Sequence, residues 1–151
     1  EDHIAAVPYL LKEMQESGQA LPAANLAIYA TPFTLRLLLG ALDQHRVPRA
    51  LRDLRPLLPG AAPLSVGALT VRAIGVPHSI PASLSLQVSG PGADGALRSA
   101  LHTGDFKLDE HDQALRGWPR EAVDLLVGDS TNATRPTPAA IHALAVNHQA
   151  A

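Results

Sequence analysis

The sequence predicts an α/β fold, and three of its features support this prediction. A short apolar run at 26–30 is followed by a Thr-Pro pair and a helical pattern, which together form one strand, cap and helix step. Three further apolar segments between 66 and 101 follow a β rhythm. A last apolar run at 123–127 ends at Gly128 and Asp129. These patterns indicate a layered α/β domain.

Two helices are predicted in the first third of the chain. The first covers 4–17, where the apolar residues recur at helical spacing, and Gly18 is a suitable stop. The second begins after Thr31, which is a good cap, has Pro32 in its first turn, and continues to about Gln44.

Strands dominate the middle of the chain. The segment 47–63 is rich in Arg, Leu and Pro and predicts a short strand and loops. From residue 66 one predicted strand leads to His78, a second alternates strictly through 84–88, and a third leads to His102. A loop at 90–95 that is rich in Gly, Pro and Asp joins the second strand to the third.

The last part of the chain adds two elements around a polar segment. The segment 109–120 is predicted to be a loop in which Trp118, the single tryptophan, anchors the chain against the sheet. The run 123–127 predicts a buried strand, and 139–147 predicts a final helix.

Composition excludes several classes of protein. Aromatic residues are 3% of the chain and the formal net charge is −2, so neither stacking platforms nor a basic stripe for general RNA wrapping is visible. The chain has no cysteine, which excludes disulfides and thiolate zinc sites and fits a reducing compartment. No apolar run approaches the roughly 20 residues that span a bilayer, so we expect a soluble, cytoplasmic protein.

Side chains that bind metals lie at the ends of predicted elements. Asp2 and His3 precede the first helix, and His78, Asp105 and Asp129 each follow a strand. Strand ends are where sites assemble in α/β folds, because the sheet holds loop residues in a common crevice. Carboxylate and imidazole ligands from separate strands suit a hydrolytic centre of two cations around one attacking oxygen.

Each of these signals also has a simpler structural explanation. An Asp-His pair before a helix is more often a cap than a pair of ligands, and His78 could be a strand-end histidine with a structural hydrogen bond. The segment 103–105 is a good turn sequence, and 129–132 could be a run of local caps. Only the joint order of the motifs favours a metal centre.

Five motifs in this order resemble ribonuclease J, a β-CASP member of the metallo-β-lactamase superfamily: Asp2-His3-Ile4, Tyr29-Ala30-Thr31-Pro32, His78-Ser79-Ile80-Pro81, His102-Thr103-Gly104-Asp105-Phe106-Lys107 and Asp129-Ser130-Thr131-Asn132-Ala133. The resemblance covers nearly the whole chain. It implies a partial αββα sandwich at 1–136, lacking the N-terminal strands and the C-terminal part, and the start of a truncated β-CASP insertion at 137–151.

The resemblance also implies a reaction and its metal ligands. The family uses two zinc ions, which activate a hydroxide, to hydrolyse RNA phosphodiester bonds by endonucleolytic and 5′ to 3′ exonucleolytic cleavage. Asp2 and His3 would bind the second zinc ion, His78 would complete the first zinc site, and Asp105 would bridge the two. The motif implies that Asp129 supports the phosphate-facing side, so that Asp2 and Asp129 are the candidate catalytic residues.

Three neighbouring residues are candidates for orienting ligands or contacting substrate: Ser79, His102 and Ser130. No ligand role carries over to His102, so we expect it to form a hydrogen bond beside Asp105. Ala82 departs from the family pattern, because an aspartate normally follows the His-Ser-Ile-Pro motif and would help to orient a ligating histidine.

Part of the family's ligand set would lie outside 1–151, so we expect this chain to be a fragment that binds metal weakly and is not a competent enzyme alone. The intact protein is expected to act on RNA, without a membrane, as a homodimer or homotetramer. Two alternatives remain open. The fold could hydrolyse another ester or phosphoester, or the chain could belong to a catalytically silent scaffold subunit of an RNA-processing complex.

Overall fold

The computed structural model describes residues 3–17, 26–107, 118–119 and 121–130. The chain divides into two compact units, Glu1–Leu58 and Pro59–Ala151, which we call the first and second units. The described residues form a mixed α/β fold, with a two-stranded sheet in the first unit and a five-stranded sheet in the second. None of the helices in the described part has the length and apolar content needed to cross a membrane.

The first unit contains α1 (Val7–Glu16), β1 (Ala27–Ala30), α2 (Pro32–Gln44), a 3₁₀ turn (Arg49–Leu51) and β2 (Asp53–Pro56). The two strands are parallel and pair over their full length. Thr31 caps α2, because its Oγ1 accepts a hydrogen bond from the backbone N–H of Thr34 at 3.4 Å. The predicted strand, cap and helix step is therefore confirmed.

Aliphatic side chains form the core of the first unit. The buried cluster consists of Leu11 from α1, Leu38 and Leu42 from α2, and Val47 from the segment after it. Burying each such side chain contributes about 1.5–3 kcal/mol. Arg52 closes the segment after α2, with its Nε donating to the carbonyl oxygen of Val47 at 2.9 Å.

The second unit contains β3 (Leu64–Val66), β4 (Leu69–Gly75), β5 (Leu84–Pro91), β6 (Leu97–His102) and β7 (Leu125–Val127), in this order across the sheet. Neighbouring strands are antiparallel except β6 and β7, which are parallel. The predicted strands leading to His78 and His102, and the strand between them, are confirmed. The loop that follows β5 is confirmed as a turn, in which the N–H of Gly92 donates to the carbonyl oxygen of Ala96 at 2.8 Å.

This topology brings several chain segments to one edge of the five-stranded sheet, which we call the site edge. The end of β4 pairs with the start of β5 through Gly75 and Leu84. Near the end of β6, His102 pairs with Leu86 on one side and with Val127 at the end of β7 on the other. The segments that leave β4, β6 and β7 therefore all start at the site edge.

Sequence analysis missed one strand of this unit, and its prediction for another strand was wrong. The sequence did not predict β3 as a strand. Its three residues, beside the turn at Gly67, are too few to show an alternating apolar pattern. The run ending in β7 was predicted to be buried, but Leu125, Leu126 and Val127 are 56%, 56% and 42% exposed. In the described structure β7 is the last strand of the sheet and pairs only with β6.

Other predictions fall outside the described residues. These are the final helix at 139–147, the domain boundary between 136 and 137, the segment 109–117 and the side chain of Asp2.

Candidate metal centre

His78 and Asp105 lie together at the site edge. His78 follows β4 and Asp105 follows β6, and the distance from His78 Nε2 to Asp105 Oδ2 is 3.9 Å. The two side chains are 22% and 36% exposed, so both can be reached from solvent. The structure thus brings together two of the predicted zinc ligands, one imidazole and one carboxylate.

The pair fits a shared zinc ion by donor type and by distance. Nitrogen and oxygen ligands lie about 2.0–2.2 Å from zinc, which places two ligands of a tetrahedral ion about 3.4 Å apart. The separation in the structure exceeds this by about 0.5 Å. His78 Nδ1 is also shielded from solvent and has no hydrogen-bond partner among the described residues.

Ser79 lies against the same imidazole. Its Oγ is 3.2 Å from His78 Nε2, and the serine itself is exposed. A hydroxyl at this distance can donate to a neutral imidazole nitrogen or accept from it. The contact places Ser79 beside His78, and its predicted role in orienting a ligand or contacting substrate stays a prediction.

Asp105 is carried by a tight turn that requires glycine. Gly104 has a φ of +60°, and a Cβ added there would lie 2.6 Å from the carbonyl oxygen of Leu84. The N–H of Gly104 donates to His102 Nδ1 at 3.0 Å. His102 therefore contacts the turn that precedes Asp105, and its role in orienting the metal ligands stays a prediction.

The loops that carry His78 and Asp105 are joined through their backbones. The N–H of Lys107 donates to the carbonyl oxygen of Pro77 at 2.7 Å, next to His78 in the sequence. The loop after β4 is closed by a second bond, from the N–H of Val76 to the carbonyl oxygen of Ser83 at 2.9 Å. The spacing of His78 and Asp105 is thus supported by backbone contacts outside the strand ladders.

Asp129 follows β7 beside the Asp105 turn. Its N–H donates to Thr103 Oγ1 at 3.0 Å, and the N–H of Thr103 donates to the carbonyl oxygen of Val127 at 2.9 Å. Ser130 is exposed at the end of this segment. The contacts place the backbone of Asp129 at the site edge, and the roles predicted for its carboxylate and for Ser130 stay predictions.

The site edge contains a buried hydroxyl that sequence analysis missed. Ser85 occupies a polar position of the alternating pattern through β5, and it is 0% exposed. Its Oγ donates to the carbonyl oxygen of Thr103 and accepts from Trp118 Nε1 at 3.1 Å. Phe106 and Trp118 pack in a T-shaped contact with ring centroids 5.2 Å apart, so the prediction that Trp118 anchors a loop is confirmed.

The remaining predicted ligands are not placed in this centre. Asp2 is outside the described residues, and His3 lies exposed before α1 in the first unit. Within the part of the chain that the structure describes, no group of three or more His, Asp or Glu side chains is arranged to hold one metal ion. The pair of His78 and Asp105 is therefore the described part of the candidate centre, and the ligand roles of all four residues stay predictions.

The sequence is similar to ribonuclease J from several bacteria, while no protein-family model matches it. It is 31% identical over 140 residues to ribonuclease J of Helicobacter pylori, covering 87% of this chain and 18% of the relative. It is 33% identical over 144 residues to that of Corynebacterium glutamicum, covering 90% and 18%. It is 31% identical over 145 residues to that of Thermus thermophilus, covering 90% and 23%. The chain thus spans only about a fifth of the length of these curated relatives.

Proposed function

We propose that this chain, a ribonuclease J-like sequence along 90% of its length, carries part of the zinc centre of a ribonuclease that hydrolyses RNA phosphodiester bonds. The single observation that supports this most directly is the 3.9 Å separation of His78 Nε2 and Asp105 Oδ2. These two side chains come from motifs that resemble the metal-binding motifs of the family, and the fold brings them to one edge of a sheet.

The mixed α/β fold is compatible with part of a metallo-β-lactamase αββα sandwich, which we propose as its architecture. In this proposal His78 and Asp105 would hold one zinc ion, and Asp105, Asp2 and His3 would hold the second. When bound, the two ions would supply the positive charge that lowers the pKa of an attacking water and neutralises the phosphate. RNA cleavage is proposed to be both endonucleolytic and 5′ to 3′ exonucleolytic.

The chain's own residues orient the centre. His102 would fix the turn that carries Asp105, since it already makes a hydrogen bond there. Ser79 would contact substrate beside the centre, because a zinc ion bound to His78 Nε2 would take the lone pair that the Ser79 hydroxyl now faces. Asp129 would support the phosphate-facing side together with Ser130, because its backbone is held next to the Asp105 turn. A charged carboxylate in this position excludes phosphate unless cations balance it, so this role requires the zinc ions.

Zinc binding tests the ligand assignment directly. We expect the chain to bind zinc in calorimetric titration, and we expect His78→Ala and Asp105→Asn each to weaken binding at least about tenfold. Matched controls are His45→Ala and Glu121→Gln, which remove an imidazole and an exposed carboxylate outside the predicted ligand set. Equal zinc affinity in all five proteins would contradict the assignment.

Substrate choice tests the proposed reaction. An intact protein that contains this chain should hydrolyse RNA faster than small phosphate or carboxylate esters, and Asp105→Ala should abolish the cleavage. Preference for a small ester would indicate another hydrolase, and stable zinc-free protein without turnover would indicate a scaffold subunit. RNA cleavage that survives Asp105→Ala would overturn the bridging role of this carboxylate.

A further inference from the structure

We infer that Ser85 and Thr103 are positioning residues. Their buried hydroxyls fix the position of the turn that carries Asp105 relative to the segment that carries Asp129 at the site edge. Ser85 lies outside the predicted ligand motifs. Thr103 lies within one of them but has no predicted ligand role. Its link to metal binding rests on the proposed function. The hydrogen bonds themselves can be tested without it.

Ser85 is fully buried, and its hydroxyl makes two hydrogen bonds. A hydroxyl has one donor and can accept two hydrogen bonds. Ser85 Oγ donates to the carbonyl oxygen of Thr103 and accepts from Trp118 Nε1 at 3.1 Å. It therefore joins the end of β6, where the Asp105 turn begins, to the residue that packs against Phe106 on the other side of Asp105.

Thr103 also joins two backbone segments through its hydroxyl, and it lies closer in the sequence to the candidate ligand Asp105. It is 3% exposed, and its Oγ1 accepts from the N–H of Asp129 at 3.0 Å while donating to the carbonyl oxygen of Gly104 at 2.8 Å. One hydroxyl thus contacts both the peptide that precedes Asp105 and the peptide that begins Asp129. A small hydroxyl with two directional contacts fixes the spacing of these two backbones.

The position of these contacts explains why they are needed. The ladder between β6 and β7 ends at the pair of His102 and Val127, and beyond it the two segments diverge into loops. One further backbone hydrogen bond follows, from the N–H of Thr103 to the carbonyl oxygen of Val127. Beyond it, the contact of the Thr103 hydroxyl with Asp129 keeps the two segments at a fixed spacing. Groups that orient metal ligands in this indirect way typically change metal affinity by about 10- to 100-fold when they are removed.

The test compares four variants of the chain: Ser85→Ala, Thr103→Val, Thr103→Ser and Ser89→Ala. Ser89 is the control, since it lies on the same strand as Ser85. Three quantities are measured by NMR spectroscopy and titration. They are the hydrogen exchange rate of the Asp129 amide, the indole N–H resonance of the single tryptophan, and the dissociation constant for zinc.

We expect Thr103→Val to speed exchange of the Asp129 amide and to weaken zinc binding about 10- to 100-fold. Thr103→Ser keeps the hydroxyl and should restore both values to within about threefold, which a general loss of packing would not allow. Ser85→Ala should shift the Trp118 indole N–H resonance and weaken zinc binding in the same direction. Ser89→Ala should change none of the three.

Different outcomes separate this inference from the proposed function. Zinc affinity that is unchanged in folded Thr103→Val and Ser85→Ala would overturn the positioning role and leave the proposed function standing. An intact protein that contains this chain and binds no zinc would overturn the proposed function, whereas Asp129 amide exchange that still depends on the Thr103 hydroxyl would support the positioning role. If Ser85→Ala fails to fold, the comparison of Thr103→Val with Thr103→Ser decides the inference.

Discussion

The two units differ in where their buried hydroxyls lie: Thr31, which is 5% exposed, caps α2 in the first unit and is outside its core cluster. The core cluster of the first unit is aliphatic and consists of Leu11, Leu38, Leu42 and Val47. The second unit also buries aliphatic side chains, but it places the hydroxyls of Ser83, Ser85 and Thr103 among its buried residues. The last two of these hydroxyls lie at the site edge, beside the turn that carries Asp105.

This contrast distinguishes stabilisation by aliphatic burial from positioning by directional hydrogen bonds. Aliphatic burial is strong and has no preferred direction, so it stabilises a fold without fixing loops to within a fraction of an ångström. Buried hydroxyls contribute little net stability but require partners in particular directions. We therefore expect substitutions in the first unit to change stability most, and substitutions at the site edge to change its geometry.

The largest expected effect is in the aliphatic core. Leu42 is 0% exposed, so Leu42→Ala should lower the free energy of unfolding by about 2–5 kcal/mol through lost burial and the cavity left behind. Leu37→Ala on the same helix removes a side chain that is 43% exposed and should cost less than about 1 kcal/mol. Chemical denaturation measures both, and similar costs would contradict the proposed core.

A smaller effect is expected from a backbone contact at the site edge. Gly104→Ala forces alanine to a φ of +60° and places its Cβ 2.6 Å from the carbonyl oxygen of Leu84, which should cost about 2–3 kcal/mol. Gly95→Ala is the control, because Gly95 has a φ of +77° with nothing within 4 Å of an added Cβ. Its cost should be about 1 kcal/mol. Equal costs would mean that the approach to Leu84 is unimportant.

A gain in stability is expected at Ala82, which has a φ of +58°. Asparagine tolerates this left-handed conformation better than alanine, so Ala82→Asn should raise the free energy of unfolding by about 0.5–1 kcal/mol. The same change at the exposed Ala61 provides the control and should alter stability by less than about 0.5 kcal/mol. A loss of stability in Ala82→Asn would show that the loop after His78 adopts another conformation.

The smallest effect concerns the acid stability of the second unit. The backbone N–H of Ser99 and the Arg98 guanidinium hydrogen-bond to Asp124, and they lower the pKa of its carboxyl below its ordinary value. The stabilisation is therefore complete above that value and is lost as the pH falls through the lowered pKa.

Asp124→Asn should consequently lower the melting temperature near pH 7 and reduce its further drop between about pH 5 and about pH 2. Thermal unfolding followed by circular dichroism measures this difference. Glu121→Gln, which alters an exposed carboxyl three residues away, is the control. A parallel acid response of the wild type and Asp124→Asn would remove the proposed role of these hydrogen bonds.

Local chemistry explains which parts of the fold were predictable. Thr31 and Pro32 predict the start of α2 because capping depends on a few adjacent residues, and the structure has the helix at Pro32–Gln44. The burial of β7 was not predictable in the same way, because exposure depends on which strands lie beside it. The sheet ends there in the described structure, and its apolar side chains are exposed.

The sequence by itself determined which residues are candidates for the chemistry, since the imidazole of His78 and the carboxylate of Asp105 lie in motifs that can be read without a structure. Only the tertiary structure decided that their side chains approach to 3.9 Å and that a serine from β5 supports the turn between them. The physical reason is the distance along the chain over which each interaction acts. Turn and capping signals act over a few residues, whereas the spacing of two loops depends on the pairing of strands that are distant in the chain.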